Sequence, residues 1–299
     1  MEVPVKKRAK LLVTGASGFL GARLVQEARR RGWLVIGASR SPREGSGGIR
    51  ADLARRGEGE RLLEEVRPGA VIHGAALSRI PDCEKDPELA ARVNRDGTGE
   101  LARAAAGEGI PFLYVSTDHV FDGNSAPYAP EDPPSPVSVY GRTKAEGEEA
   151  VRRAGGDWRV ARVSLLFGRS PGRGNLGASE GLLALLARGE KPLLFTDEFR
   201  TPLEVGQAAR CLLDLLQAPS GRTWHLGGPE RISRFAFGLL VARAAGLDPG
   251  LLRKGLRTDR PEHASRPADL SLDSSATLPF LETPPSPPAA ALAAVYGGA

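Results

Sequence analysis

Cysteines and aromatic residues are both scarce in this chain of 299 residues. Cys83 and Cys211 are its two cysteines, and two isolated cysteines in so long a chain exclude a disulfide framework and indicate a reducing, cytoplasmic environment. Aromatic residues make up 5% of the sequence, so the hydrophobic core has to be built from Leu, Val and Ala. A chain of this length can bury such a core without disulfides or metal ions.

Long apolar runs and basic clusters are absent as well. No stretch approaches the ~20 apolar residues of a membrane span, and the first ten residues lack the apolar segment of a secretory signal. Of the 41 basic residues seven are lysine and 34 are arginine, and no run of them alternates with aromatic residues. We therefore expect a soluble, cytoplasmic protein that has neither a membrane nor a nucleic acid as its partner.

A metal site is not expected from the spacing of the potential ligands. The histidines, at positions 73, 119, 225 and 263, are far apart, and neither cysteine stands in a paired ligand spacing. His73 and His225 lie in apolar strand patterns, where we expect packed, hydrogen-bonded side chains. Whether a divalent ion assists the reaction is left open.

The first half of the chain alternates short apolar runs with amphipathic stretches. Strand-like runs occupy residues 10–14, 33–38, 70–75, 111–116 and 158–166, and helical patterns lie between them. This order predicts an α/β fold of the Rossmann type, a doubly wound parallel sheet with helices on both faces. We expect a dinucleotide-binding domain over residues 1–167, with residues 200–226 packing back on it. Residues 168–199 and 227–299 are expected to form a smaller substrate lobe that ends in an irregular, proline-rich tail from residue 278.

A glycine-rich segment follows the first predicted strand and opens the first helix. Glycines at such a turn let backbone N–H groups approach a pyrophosphate at the helix N-terminus. The context, between a strand and an amphipathic helix, favours a cofactor site over a structural turn. The predicted phosphate contacts are Gly15, Ser17, Gly18, Phe19, Leu20 and Gly21.

The second predicted strand ends without the acidic residue that would bind the ribose hydroxyls of NAD. Ser39 and Arg40 stand there instead, and a guanidinium suits the 2′-phosphate of NADP. We therefore expect NADP(H) to be preferred, with NAD(H) as the alternative. Asp52 and Leu53 are candidates for contact with the adenine.

A tyrosine and a lysine four residues apart form a candidate acid for catalysis. Tyr140 and Lys144 are at positions i and i+4 of a predicted helix, so both side chains face the same way. A nearby ammonium favours the phenolate, so we expect Lys144 to lower the pKa of Tyr140 from its usual value near 10. Such a tyrosine can donate a proton to a ketone oxygen while a hydride reaches the carbonyl carbon.

Several segments resemble the extended short-chain dehydrogenase/reductase superfamily, and within it the dTDP-4-dehydrorhamnose reductases and the related regulatory subunit of methionine adenosyltransferase. The resemblance covers nearly the whole chain. The similar segments are the glycine loop, residues 71–76 with Ala75 and Ala76 beside the cofactor, residues 116–123, residues 140–144, residues 200–202, residues 224–228 and residues 266–267.

The resemblance implies an NADP-dependent reductase acting on the 4-ketone of a nucleotide sugar, in a family that often forms dimers. It implies that Thr117 hydrogen-bonds the substrate carbonyl, that Tyr140 is the acid and that Lys144 also holds the nicotinamide ribose. Candidate substrate contacts are Asp118, His119, Asn175, Arg200 and Arg266. His119 stands where these reductases usually carry tyrosine, which leaves the particular sugar open.

Two alternatives stay open at this point. An NAD-dependent epimerase or dehydratase of sugar nucleotides would retain the same loop and the same Tyr/Lys pair. A non-catalytic, NADP-binding regulatory protein is the second alternative, because residues 79–82 and 127–132 resemble the regulatory subunit rather more closely. The retention of Thr117, Tyr140 and Lys144 favours catalysis, since a protein that only binds does not need an acid.

Overall fold

A parallel sheet of seven strands forms the centre of the computed structural model, which describes residues 9–42, 47–170, 177–259 and 266–297. The strands of the described residues, in this sheet and in three two-stranded sheets, are β1 (Lys10–Thr14), β2 (Leu34–Ser39), β3 (Ile49–Arg50), β4 (Ala70–His73), β5 (Phe112–Thr117), β6 (Trp158–Val163), β7 (Leu166–Phe167), β8 (Leu193–Phe195), β9 (Phe199–Arg200), β10 (Leu203–Glu204), β11 (Arg222–Leu226), β12 (Ile232–Ser233) and β13 (Arg253–Gly255). The central sheet has the order β11-β6-β5-β4-β1-β2-β3. The predicted doubly wound α/β fold is confirmed.

Helices cover both faces of this sheet. The α-helices of the described residues, including those that lie outside the sheet, are α1 (Phe19–Arg30), α2 (Glu58–Val66), α3 (Ile80–Lys85), α4 (Pro87–Ala91), α5 (Thr98–Gly107), α6 (Val139–Ala154), α7 (Ala178–Ala187), α8 (Val205–Leu215), α9 (Arg234–Ala244) and α10 (Pro288–Tyr296). A π-helical turn, Arg92–Gly97, joins α4 to α5. None of the helices in the described ranges is long and apolar enough to cross a membrane.

The two faces of the sheet carry separate hydrophobic layers. On one face Leu24 and Ala28 of α1 pack with Leu212 of α8 against β1, and all three side chains are fully buried. They recur along one side of their helices because apolar residues three or four positions apart share a helix face. On the other face Leu63 of α2 and Leu101 of α5 pack against the same sheet.

The chain returns to the central sheet after leaving it. Strand β11 pairs in parallel with β6, and helix α8 before it packs in the same layer as α1. A third hydrophobic cluster lies outside the sheet and joins α7, α9 and α10 around Phe167 and Phe237, whose rings meet edge to face with centroids 5.3 Å apart.

The expectation of an irregular C-terminal tail was wrong for Pro288–Tyr296, which form α10. Proline is well tolerated in the first turn of a helix, since the N–H that it lacks has no intrahelical partner there. Pro288 begins the helix, and the Ala-rich and Leu-containing run that follows has high helix propensity. Leu292 and Tyr296 then dock this helix against the third cluster.

Candidate active site

A cleft of about 730 Å³ opens at the carboxyl ends of the central strands. In doubly wound sheets this edge carries the ligand crevice, at the point where the strand order reverses. Here the chain moves from β1 outwards to β2 and β3 and then back to β4 on the other side of β1. The structure brings most of the site residues predicted from the sequence to this cleft. Those that line it are Gly15, Ser17, Gly18, Phe19, Leu20, Gly21, Ser39, Arg40, Asp52, Leu53, Ala75, Ala76, Thr117, Asp118, His119, Tyr140, Lys144 and Arg200.

The glycine loop between β1 and α1 requires its glycines. Gly15 has φ of +71°, and a Cβ there would lie 2.7 Å from the carbonyl oxygen of Gly74. A Cβ on Gly21 would lie 2.1 Å from the carbonyl oxygen of Gly15, so the first turn of α1 packs directly on the loop. Gly18 caps α1 without a side-chain hydrogen bond, which leaves the first N–H groups of the helix for an anion.

Residues after β2 and β3 line the far end of the cleft. Ser39 is buried and Arg40 is exposed at the end of β2. Asp52 Oδ1 accepts a hydrogen bond from the N–H of Ala54 at 3.2 Å, while the buried Leu53 supplies an apolar wall. A guanidinium, a carboxylate and an apolar wall fit the adenosine end of a dinucleotide.

Thr117, Tyr140 and Lys144 meet at the middle of the cleft. Thr117 ends β5, and the other two lie on the first turns of α6, which Ser138 caps by accepting a hydrogen bond from the N–H of Gly141 at 3.1 Å. The buried Lys144 Nζ donates to the carbonyl oxygen of Val115 at 2.7 Å. It also lies 4.0 Å from the centroid of the Tyr114 ring. Two neighbouring residues of β5 therefore hold the amino group of Lys144 in place.

The pKa of Tyr140 moves in the opposite direction to the sequence-based expectation. Burial raises this pKa well above its ordinary value, and interaction with the Thr117 hydroxyl only partly opposes the rise. Burial also lowers the pKa of Lys144 to about 7, while the charge of Glu148 opposes that shift. The i, i+4 spacing does place both groups in one cleft, but the lysine is held by Val115 and is itself weakly basic. Tyr140 is therefore a protonated donor at neutral pH.

A buried carboxylate lies one helical turn beyond Lys144 and was not anticipated. Glu148 is fully buried and accepts hydrogen bonds from Arg162 Nη2 at 2.8 Å and from Ser116 Oγ at 2.6 Å. Although burial raises the pKa of Glu148, its interactions with Arg162 lower that pKa on balance. The spacing of Tyr140, Lys144 and Glu148 at four-residue intervals was a readable signal that all three share one face of α6.

Asp118 and His119 form the wall beside Thr117. Asp118 is buried, accepts from Thr117 Oγ1 at 3.1 Å, and lies 3.8 Å from Arg200 Nε. Its carboxylate therefore orients neighbouring groups. The His119 ring meets the Tyr140 ring edge to face with centroids 5.9 Å apart, and burial lowers the pKa of His119. A neutral imidazole thus stands beside the phenol.

Arg266 and Asn175 differ from the other predicted substrate contacts. The guanidinium of Arg266 forms two hydrogen bonds with Glu198, of 3.0 and 3.1 Å, and is not among the residues that line the cleft. Asn175 falls outside the described residues. Arg234, which sequence reasoning missed, lies near the same glutamate, and its Nη1 is buried without a hydrogen-bond partner.

The predicted roles of His73 and His225 as packed, hydrogen-bonded residues are confirmed. His73 Nδ1 lies 2.6 Å from Thr14 Oγ1 and its Nε2 lies 2.9 Å from Thr98 Oγ1, so both ring nitrogens are engaged. His225 Nδ1 lies 3.0 Å from the carbonyl oxygen of Tyr128. Across the described ranges, no three His, Cys, Asp or Glu side chains come together in a way that could hold a metal ion.

Comparison with known proteins finds a family model and two relatives that each cover most of the chain. A family model described as the RmlD substrate binding domain matches residues 9–296. The probable low-salt glycan biosynthesis reductase Agl14 of Haloferax volcanii is 34% identical over 267 residues, covering 88% of this chain and 89% of that protein. Methionine adenosyltransferase 2 subunit beta of Xenopus laevis is 32% identical over 288 residues, covering 92% of this chain and 83% of that protein.

A solved structure agrees with this fold. The dTDP-4-dehydrorhamnose reductase of Bacillus anthracis, in complex with NADP, matches with a TM-score of 0.87 over 98% of this chain and 100% of that chain. The two sequences are 22% identical, so this likeness establishes the fold alone.

Proposed function

Because this chain belongs to the RmlD substrate-binding domain family, we propose that it is an NADP-dependent reductase of the 4-ketone of a nucleotide sugar. The observation that carries the proposal is that Thr117, Tyr140 and Lys144 line the same cleft as the glycine loop. A proton donor and a phosphate-binding turn in one crevice are what carbonyl reduction by a dinucleotide requires. The similarity to a probable reductase, Agl14, supports the same chemistry.

The cofactor would be held by groups that fit it along the length of the cleft. The N–H groups at the start of α1 suit the pyrophosphate, Arg40 suits a 2′-phosphate, and Asp52 with Leu53 suits the adenosine. Ala75 and Ala76 follow β4 and are small enough to leave room beside the nicotinamide ribose. When bound, the nicotinamide supplies a hydride to the carbonyl carbon of the substrate.

The residues of the chain would handle the proton. Tyr140 gives its phenolic proton to the carbonyl oxygen. The Thr117 hydroxyl, which donates to Asp118 in this structure, would rotate to donate its hydrogen bond to that same oxygen when substrate binds. Burial keeps Tyr140 protonated at neutral pH, so the acid is in its competent form before substrate binds. Lys144, with a pKa of about 7, is poised to stabilise the phenolate as it forms and to help restore its proton.

The proposal is tested by NADPH oxidation with purified protein and a panel of nucleotide-bound 4-ketosugars. Loss of an acid catalyst costs on the order of 10²- to 10⁴-fold in rate, so Tyr140→Phe is expected to lower kcat by about that factor. The matched control is Tyr296→Phe, which removes a hydroxyl bonded to Ser179 and Gly168, away from the catalytic tyrosine. Undiminished turnover by Tyr140→Phe would remove the proton-donor role.

A regulatory, non-catalytic function is the second candidate, favoured by the 32% identity with methionine adenosyltransferase 2 subunit beta. The same assay separates the two. Tight NADP(H) binding without turnover of any ketosugar supports the regulatory function, whereas turnover abolished by Tyr140→Phe supports the reductase. NAD that resists dialysis would instead indicate an epimerase or dehydratase.

The substrate is a soluble sugar nucleotide, with neither nucleic acid nor membrane as a partner, and the place of action is the cytoplasm. Cys83 and Cys211 are both buried free thiols, and burial raises the pKa of Cys83 to about 11, which makes it unreactive. A homodimer is the proposed oligomeric state, tested by sedimentation of the purified chain.

A further inference from the structure

We call the cleft of the candidate active site the cofactor cleft. A second cleft, of about 610 Å³, lies next to it and has no part in the proposed reaction. Small apolar groups form part of its wall, among them Leu53, Ala150 and Ala154. Leu53 is the one described residue that borders both clefts. We call this second space the arginine cleft because six arginines line it: Arg55, Arg56, Arg92, Arg95, Arg103 and Arg153.

The lining of the arginine cleft carries an excess of positive charge. Asp96 and Glu100 are the two acidic residues among the described lining residues. Glu100 is already engaged, because its Oε1 accepts a hydrogen bond from the N–H of Gly59 at 2.9 Å. Asp96 pairs with Arg95 at 2.7 Å. Two carboxylates therefore face six guanidinium groups.

Acids on the rim reduce this excess only weakly. Four pairs are involved: Arg55 lies 3.6 Å from Asp52, Arg153 lies 3.4 Å from Glu149, Arg92 lies 3.8 Å from Glu88 and Arg95 lies 3.6 Å from Glu146. All four arginine side chains are more than 40% exposed. Ion pairs of this length and exposure contribute little and exchange readily, so these arginines stay available to a stronger anionic partner.

Two arginines of the cleft, Arg56 and Arg103, form no hydrogen bond or ion pair with any residue that the structure describes. They come from different elements, because Arg56 precedes α2 and Arg103 lies on α5. Guanidinium groups from separate elements that line one concavity can contact one polyanion from two sides.

The arginine cleft adjoins the active site through the π-helical turn. Arg92 and Arg95 of this turn line the arginine cleft, whereas Val93 lines the cofactor cleft. Between them the fully buried Asn94 binds both the N–H and the carbonyl oxygen of Leu77, and donates to Thr143 Oγ1 on α6 at 3.0 Å. π-Helical turns inside α-helices are frequent at functional sites.

We propose that the arginine cleft is a second binding site, for a small molecule that carries two or more phosphate groups. Its volume lies in the range of small-molecule pockets, roughly 300–1,000 Å³. Arginine forks match phosphate oxygens in pairs, and several forks around one cleft favour a ligand with several phosphates over a single monovalent anion. The apolar wall at Leu53 and the alanines leaves space for a non-phosphate part of the ligand.

The test is calorimetric titration of the full chain with inorganic tripolyphosphate at about 150 mM salt, where exposed charges are screened beyond roughly 8 Å. The variant is Arg56→Ala with Arg103→Ala. The matched control, Arg243→Ala with Arg253→Ala, removes the same charge from exposed positions outside both clefts. Because all four side chains are exposed, we expect each variant to melt within a few degrees of the parent.

We expect the cleft variant to bind tripolyphosphate on the order of tenfold more weakly and the control to change by less than about twofold. The conservative Arg56→Lys with Arg103→Lys should recover part of the loss, since lysine keeps the charge without the paired donors. Equal loss in both alanine variants would reduce the effect to net charge and overturn the proposal. The proposal would also be overturned if both alanine variants bound tripolyphosphate as tightly as the parent, because the anion would then be located at the glycine loop. A short RNA duplex that displaces tripolyphosphate from this cleft and binds more tightly would overturn the ligand class.

Discussion

Substitution of Lys144 by methionine should change the stability of the protein in a strongly pH-dependent way. Lys144 is 2% exposed, and burial lowers its pKa from 10.5 to about 7. Between these two pH values the unfolded chain binds a proton at this position and the folded protein does not. Stability therefore rises with pH across the window from about 7 to 10.5, and the penalty of charging the buried amine is fully present below pH 7.

The size of the change in the free energy of unfolding follows from the lowered pKa of Lys144. Each pKa unit corresponds to 1.36 kcal/mol, so moving from 10.5 to about 7 corresponds to up to about 5 kcal/mol. Lys144→Met retains the length of the side chain and removes the charge. It also leaves the Val115 carbonyl oxygen without its donor, which costs about 1–3 kcal/mol at every pH. The free energy of unfolding of the variant should therefore exceed that of the parent at pH 6. This excess should decline by up to about 5 kcal/mol by pH 10.5.

Urea unfolding at a series of pH values from 6 to 10.5, without added cofactor, measures this difference directly. Lys254→Met is the matched control, because Lys254 is exposed and its ammonium group stays in water in both states. The control should give a difference in unfolding free energy that is nearly constant with pH. A flat curve for Lys144→Met, or one that rises with pH, would refute the assignment of a destabilised ammonium at this site.

Much of the fold and the phosphate site could be predicted because local patterns determine them. Apolar runs such as Lys10–Thr14 form buried parallel strands, and the glycines that follow permit a turn that a Cβ would block at Gly15 and Gly21. The apolar run, the positive φ of Gly15 and the contact of Gly21 with Gly15 depend on neighbours within a few residues, whereas the contact of Gly15 with Gly74 comes from the next strand of the sheet. The placement of Tyr140 and Lys144 in the same cleft also followed from helical spacing, and the structure brings both to the strand ends.

The electrostatics of the site could not be predicted in this way. The i, i+4 spacing says which face of α6 two side chains share, but not how deeply that face is buried or what β5 offers it. Here the Val115 carbonyl oxygen lies within reach of Lys144 Nζ, and burial dominates the pKa of both Lys144 and Tyr140. A charged residue inside an apolar strand run, such as Arg162 in β6, is a sign of a buried partner, but the partner, Glu148, becomes evident only in three dimensions.

Two further substitutions test the proposed 2′-phosphate site and the buried ion pair between α6 and β6. Arg40→Ala should weaken NADP binding on the order of tenfold, since it removes charge-assisted hydrogen bonds to a 2′-phosphate, and should leave NAD binding nearly unchanged. Titration of both cofactors checks this, and an unchanged NADP/NAD ratio would remove Arg40 from the phosphate site. Glu148→Gln should lower the free energy of unfolding by about 3–5 kcal/mol, because it leaves the buried Arg162 guanidinium without its anionic partner. Since the charge of Glu148 also supports protonation of Lys144, the variant should lower the pKa of that amine still further. Adding Arg162→Met to Glu148→Gln removes the orphaned charge and should restore part of the stability in urea unfolding. If the double variant is instead less stable than Glu148→Gln alone, Arg162 stabilises the fold through contacts other than this ion pair.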